Sequence, residues 1–471
     1  MKHLPIICLL LSAEVVCGQS LFNRVYPKPF WDYATAVTET DSNTYFIAAS
    51  SNSQNHSSYD ILLMNIDTQG EVIWEKYIGD NSAYEIANAI RKTSDGGYII
   101  GGSIAPQSTY YAYALKLDQY GNKTWSQSLN SFGIPEFGCS VIENKDGEYI
   151  VVSTDFDHTN VYNLGINGNV NWVKHYQDVS LTSIVQTGDD GYALAGATNP
   201  LYGLRQIVLK KTNETGDILW SKLFGGPGDD IAVTLVETDD QGFLVAGSYD
   251  SEMPDMDRWI YLIRTDSQGD TLWTNLHAYD EGTSWHLAKT NDHCFVLSAS
   301  AYAYCFWNDW YELKIEKINS FGETVWEASF PHRSINDVGN SVQQVSDGGY
   351  VLTGNTNNGD NSQTDVVLIK LDSLGNYVTG FNYHPIIHED FITLFPLPAK
   401  ETMSIQVSGR QHSFKTVEVY ASSGRLVDNH DFGPHTCQAD LNVSAYAPGL
   451  YLLKVLTGDA GVVIKKFIVS R

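Results

Sequence analysis

The sequence predicts an all-β chain, a seven-bladed β-propeller followed by a separate C-terminal domain. Three observations carry that prediction. A glycine-to-tryptophan step of four residues recurs at Gly70/Trp74, Gly121/Trp125, Gly168/Trp172, Gly216/Trp220, Gly269/Trp273 and Gly322/Trp326, and Gly375/Thr379 keeps the glycine alone. Between these steps lie alternating apolar segments and a turn of the type S/T-D-G-G-Y, at repeat lengths of 47 to 53 residues. Aromatic residues make up 12% of the chain and there are 39 glycines, which suits strands joined by tight turns. Self-similarity at this period, with four short strands per repeat, is the pattern of propeller blades.

The elements follow in order. Residues 1–18 read as a secretory signal, with Lys2 at the basic start, LPIICLLLSAEVV as the apolar core, and Val16-Cys17-Gly18 before Gln19. That run is too short to span a bilayer, and no other segment reaches the roughly 18 apolar residues a span needs. The propeller is expected over 19–383. Its first copy starts near Phe22, where FNRVY stands in for the WEKYI of the next repeat. The repeat from Trp74 divides into WEKYI, EIANAIRKT, GYIIGGS and YAYALKLD, joined in part by SDGG and DQYG turns, in which Asp and Gly supply φ > 0. GDDGYALAGA (188–197), TDDQGFLVAGS (238–248) and SDGGYVLTG (346–354) repeat the turn and the strand after it. Ring closure has two candidates for one slot, Phe22–Tyr26 and YVTGFNY (377–383), and the sequence does not choose between them.

Strands that run up and down put the tight turns on one face of the disc and the longer, unequal connections on the other. The longer ones include 225–230, 249–258, 302–310 and 355–365. Variable loops on a rigid scaffold are where function is usually carried.

Charge narrows the partners. The formal net charge is −26, from 29 Lys+Arg against 55 Asp+Glu. Nucleic acid and anionic membranes need a basic footprint that this chain lacks. Beyond the signal lie Cys139, Cys294, Cys305 and Cys437, too few for a disulfide scaffold in a chain of this length. Cys294 and Cys305 fall in one repeat, and either bridge a hairpin loop or remain free thiols.

Two sets of candidate residues emerge on the variable face. A carboxylate recurs before the second strand of the repeats, at Asp32, Glu85, Glu136, Asp230 and Asp337, with Asp178 and Glu281 close to the same offset. If that strand is innermost, the acids ring the mouth of the central channel, where clustered carboxylates suit a hard cation such as Ca²⁺. The competing reading is that each acid accepts backbone N–H bonds in its own loop; recurrence in every blade favours it. The second set breaks the symmetry. Trp285, Tyr304, Trp307, Asp309 and Trp310 crowd repeat six, where exposed aromatics beside polar groups suit a sugar ring or a protein surface. Glu252, Asp255, Asp257 and Asp309 would be the carboxylates of a polysaccharide hydrolase, the alternative to a binding module. Tyr110, Tyr111 and Tyr113 read as strand packing. No G-x-S-x-G, H-E-x-x-H or phosphate-binding loop is present.

Two resemblances add to this. The D-x-x-G-x-x-x-W element, best seen in KTNETGDILW with Gly216 and Trp220, resembles the tryptophan-docking motif of quinone-type (PQQ) propellers over about 22–383. There the tryptophan caps a neighbouring blade. The resemblance implies the fold and no quinone chemistry. At the C-terminus, LFPLPA (394–399), VEVYASSGRLV (417–427), ADLNVSAYAPGLYLLKV (439–455) and KKFIV (465–469) resemble the type A sorting domain of the type IX secretion system of Bacteroidetes. The matching positions are Pro396, Pro398, Gly424, Pro448, Gly449, Tyr451, Lys465 and Lys466, while Leu397 departs from the family's usual Asn. This resemblance implies a small β-sandwich over 394–471, handled by the secretion machinery, and a protein left on the cell surface or released. A linker at 384–393 is expected between the domains. Charge agrees with the boundary. Residues 395–471 hold eight Lys+Arg and six Asp+Glu, net +2, and Lys2 and Glu14 cancel, so the propeller and linker carry −26 − 2 = −28.

Overall fold

The structure, a computed structural model, describes residues 20–470 except 30, 53–57, 80–82, 107–108, 131–134, 156–157, 200–202, 251–257, 278–284, 306–307, 331–336, 358–363, 378–391, 408–413, 422–424, 437 and 458–461. The described residues contain strands and turns and no helix. The expected signal and most of the expected linker lie outside them.

Seven four-stranded antiparallel sheets form the larger body. Blades one to six span 32–78, 83–129, 137–177, 179–224, 231–277 and 285–330, each a meander in chain order. The seventh takes its three inner strands from 338–371 and its outermost from Phe22–Tyr26. The inner strands pack in a closed circle, from Asp32–Glu39 against Ala83–Lys92 round to Val338–Gln344, which returns to Asp32–Glu39. The chain is thus a β-propeller in which the N-terminal strand closes the ring, so the ambiguity is resolved in favour of Phe22–Tyr26. The register explains why Thr379 needs no tryptophan. Phe22 faces Lys370 across the ladder, just as Trp326 faces Lys317 and Trp220 faces Lys211.

Each docking aromatic joins its blade to the next. A Cβ added at Gly121 would lie 2.6 Å from Trp74, and one at Gly70 would lie 2.9 Å from Phe22. Corresponding approaches link Gly168 to Trp125, Gly216 to Trp172, Gly269 to Trp220, Gly322 to Trp273 and Gly375 to Trp326. These glycines have φ near +80°, so the position demands glycine twice, for the left-handed backbone and for the ring lying on it. The same aromatics touch the first ring after the next blade's turn, as in Trp125–Tyr149 at 5.6 Å and Phe22–Tyr45 at 6.0 Å.

Two further devices hold the turn face. In five blades a cation buried opposite the aromatic reaches its own blade's turn: Lys116–Asp95, Lys211–Asp189, Arg264–Asp240, Lys317–Asp292 and Lys370–Asp347, at 2.5–3.0 Å. Blades one and three carry Asn65 and Asn163 there instead. The last residue of every inner strand then latches onto the preceding blade's turn. Glu39 accepts from Ser346, Glu143 from Ser94, Glu237 from Gly188, Gln186 from Lys145 and Gln344 from Asn291. Where the turn offers an aspartate, the strand ends in lysine, as in Asp41–Lys92 and Asp239–Lys289.

Residues 392–470 fold separately into a three-stranded and a four-stranded sheet. Met403, Ile405 and Leu441 of the first pack against Val417, Val419, Leu453, Val455 and Phe467 of the second. That is a β-sandwich around its own core, as the resemblance implies.

The cysteine alternative is decided against the bridge. Cys294 is a free thiol, and Phe295–Cys305 is a continuous strand. At roughly 3.3 Å per residue its ends lie some 30 Å apart, far beyond the ~7 Å Cα separation a disulfide allows.

Candidate functional site

The face opposite the tight turns carries the asymmetry. Aromatic residues at the starts of the inner and third strands form an arc over the first three blades. Trp31 and Tyr33 lie 6.2 Å apart between ring centres, Tyr33 and Tyr59 6.2 Å, and Tyr59 and Tyr84 6.2 Å. Tyr110 and Phe137 continue the pattern from blade two to blade three at 4.9 Å. Trp31, Tyr84 and Phe137 are each 39% exposed, so these rings are presented to solvent. Burial and then the neighbouring Tyr33 and Tyr84 raise the Tyr59 hydroxyl pKa, and burial raises that of Tyr33. Both remain neutral hydrogen-bonding groups at physiological pH. Tyr113 is buried strand packing, as expected, whereas Tyr110 belongs to the arc. The sequence signal was the doublet Trp31-Asp32, Tyr84-Glu85, Glu136-Phe137, an aromatic beside the recurring acid in blades one to three only.

The five recurring acids do open their inner strands at this mouth, and all are buried. Glu136 Oε2 accepts from the hydroxyls of Ser153 and Tyr162, both at 2.8 Å. Asp230 accepts from the Gly226 and Asp250 backbone N–H groups at 2.6 and 3.0 Å. Burial raises the Asp230 pKa, its two backbone bonds oppose the rise, and Asp250 and Asp229 add to it. Among the described residues no three His, Cys, Asp or Glu side chains come together to hold a metal ion. The acids come one to a blade, and at Glu136 and Asp230 carboxylate oxygens are engaged within the blade or its loop. Asp230 thus takes the backbone N–H bonds of the loop-anchoring reading, whereas Glu136 is held by side-chain hydroxyls from the second and third strands of its own blade.

The aromatics of repeat six sit differently from the expected loop. Phe295–Cys305 and Asn308–Ile318 are two long paired strands, with Tyr304 opposite Asp309 and Ala303 opposite Trp310. Residues 302–310 are thus an elongated hairpin, with only 306 and 307 between its strands. Trp307 lies outside the described residues, as do the side chains of Trp285, Tyr304, Asp309 and Trp310 and the residues Glu252, Asp255 and Asp257.

A second feature went unseen in the sequence. Between the outer strands of blades five and six lies a cleft of about 460 Å³, lined among others by Asn275, His277, Lys314, Glu316, Thr324 and Glu327. His277 Nδ1 is 3.2 Å from Glu316, and Lys314 pairs with Glu327 at 2.8 Å. The hydrogen bond to Glu316 raises the His277 pKa against the opposing effect of burial. At the ladder position of His277 the other blades carry Tyr26, Ile78, Leu129, Tyr176, Phe224 and Phe330. A hydrophobic joint has here become an ionisable one.

In the C-terminal domain Pro396, Pro398 and Pro448 are exposed at bends, Gly449 is exposed at the start of a strand, and Tyr451 is buried with its hydroxyl on the Ala447 carbonyl at 2.8 Å. Lys465 and Lys466 lie on the last strand, opposite Leu453 and Leu452. Gly424 lies outside the described residues.

Comparison with known proteins agrees with this division. Residues 393–470 match the family model described as "Secretion system C-terminal sorting domain". No curated protein matches the chain in sequence. Among solved structures, a protein of unknown function from Bacteroides caccae is 15% identical, covering 57% of this chain and 89% of that one, with a TM-score of 0.37. A catalytically inactive virginiamycin B lyase from Staphylococcus aureus with quinupristin is 10% identical, covering 74% and 99%, with a TM-score of 0.45. A protein of unknown function from Dyadobacter fermentans is 9% identical, covering 74% and 97%, at 0.43. The propeller assignment rests on the strand pairing itself. No helix of the described residues is long and apolar enough to cross a membrane. The chain is a β-propeller that carries, over 393–470, a sorting domain of the type IX secretion system.

Proposed function

We propose that the propeller is a binding module of a secreted protein, which takes a glycan on the aromatic arc of its loop face and works at the cell surface or after release. The observation that carries this reading is the run Trp31, Tyr33, Tyr59 and Tyr84, continued by Tyr110–Phe137. Exposed rings spaced along a rigid edge offer flat apolar faces to sugar rings, and their hydroxyls supply the polar contacts. A binding site on a repeat scaffold has to break the repeat, and the arc does so while the turn face does not. The sorting domain supports delivery through the type IX machinery. Export by the signal at 1–18 belongs to the same proposal.

The test is retention of the purified chain on a polysaccharide panel, with and without chelator. Retention that Tyr84→Ala and Trp31→Ala abolish supports the arc. Retention that a chelator abolishes would instead revive a Ca²⁺ site among the mouth carboxylates. No retention on any glycan overturns the proposal and leaves a protein-binding or structural surface module.

A further inference from the structure

The inner strands carry one charge that the ring does not match. In each blade one inner-strand residue pairs with the residue just after the turn aromatic. In six blades it is Thr38, Ile142, Val185, Val236, Ala288 or Gln343, all neutral. In the second blade it is Arg91, opposite Ile99. Among the described residues the Arg91 guanidinium makes one hydrogen bond, from Nη1 to the Ile90 carbonyl at 2.8 Å, and no ion pair. This happens in a chain with 55 acidic residues. The acids that end the two neighbouring inner strands, Glu39 and Glu143, hold the preceding blades' turns.

Arg91 lies half-buried on the innermost strand of its blade, the strand that faces the central channel. His286 lies on the inner strand of blade six, on the far side of the ring from blade two, with Nδ1 3.1 Å from the Val342 carbonyl. Burial, and next the charge of Arg91, hold the His286 imidazole at about 3. A side chain of blade two that acts on blade six does so across the lumen. Burial also lowers the pKa of Arg91, which reports a cation with no neighbouring carboxylate to offset its desolvation. A half-buried guanidinium without a carboxylate partner keeps most of its donors unused by the chain, and an oxyanion is the group that its planar fork matches.

We propose that the central channel at Arg91 is a binding site for a small oxyanion, a carboxylate or a sulfate-like group, with the guanidinium as its charged partner. Thr38 and Gln343 offer neutral hydrogen-bonding groups at the same level of the ring. The site is independent of the aromatic arc. Arg91 lies seven residues along the strand from Tyr84, or about 20 Å towards the turn face.

The experiment is thermal unfolding of the full chain at constant ionic strength while acetate or sulfate replaces chloride, in wild type and in Arg91→Met, with calorimetric titration of wild type alongside. The expected result is a melting temperature that climbs with one of the anions in wild type and stays flat in Arg91→Met. The variant, freed of an unmatched charge, should melt higher than wild type without the anion. Calorimetry should give one anion per chain. A larger response to acetate identifies a carboxylate ligand, and a larger response to sulfate a tetrahedral one. An equal anion response in both proteins, or no heat and no shift in wild type, overturns the proposal. Calorimetry on wild type decides the matter if the variant does not fold.

Discussion

The two faces of the disc obey different rules. On the turn face every blade repeats one solution: a left-handed glycine under the preceding blade's aromatic, and a latch from strand end to turn, with a buried cation on the turn aspartate in five of the seven. Where one partner changes, the other changes with it, as in Asp41–Lys92 beside Ser94–Glu143. On the loop face nothing repeats but the buried acid. Aromatic rings gather on blades one to three, and blade six extends a long hairpin. Repetition marks what the ring needs to close, and departure from it marks what the ring is for. Substitutions on the first face should change stability, and those on the second should change binding.

The largest effect is expected at the closing strand. Phe22→Ala removes a buried ring that links blade seven to blade one, and should cost about 3–5 kcal/mol of stability by denaturant titration. A cost no larger than that of a surface substitution would mean that Phe22–Tyr26 does not close the ring. Next come the glycines, which separate two contributions. Gly147→Ala meets φ +77° with nothing within 4 Å, whereas Gly121→Ala at φ +74° also meets Trp74 at 2.6 Å. The first should cost about 1–2 kcal/mol from backbone alone, and the second clearly more. Equal costs would remove the ring contact from the account.

Titration should divide the molecule again, with opposite signs. Hydrogen bonds from Thr93, Lys116 and the Gly97 N–H outweigh burial and hold Asp95 at about 2, and Thr238 and Arg264 do the same for Asp240. Depressed carboxylates contribute stability above their unfolded values near 3.9, and lose it as pH falls towards about 2. Asp95→Asn should flatten that acid limb of the melting curve. His277 is raised instead, so its contribution is complete below about 6.5 and fades as pH climbs through its folded value. Melting followed from pH 6 upwards in wild type and His277→Gln would show a decline in the first and little in the second. A matching decline in both would deny the Glu316 pair a part in holding blades five and six together. The smallest effect on stability, within about 0.5 kcal/mol, is expected for Tyr84→Ala on the exposed arc.

The sequence made the turn face legible because its residues are written seven times. The Gly121/Trp74 contact follows from a fixed offset plus the known geometry of a left-handed turn. The Lys116–Asp95 and Ser94–Glu143 contacts recur in only some of the blades, and they join residues about 20 and 50 positions apart with no local signature. Closure by Phe22 was half legible: FNRVY matched WEKYI, but choosing it over 377–383 needed the ladder to Lys370. The loop face was read poorly for the opposite reason. Its side chains meet across blades, as Tyr59 meets Tyr84 over a blade boundary, and one sequence has no second copy to expose such a pairing. The choice between a bridged and an unbridged Cys294 and Cys305 was left open by the sequence, because only the structure shows that the segment between them extends as strand and does not fold back.

The most direct test pairs two readouts on two variants, melting temperature and polysaccharide retention for Tyr84→Ala and for Trp172→Ala. The account predicts that Tyr84→Ala melts like wild type and is not retained. Trp172→Ala should melt lower and, while folded, be retained as wild type is. Retention unchanged in Tyr84→Ala, or lost in folded Trp172→Ala, would contradict the assignment of binding to the loop face.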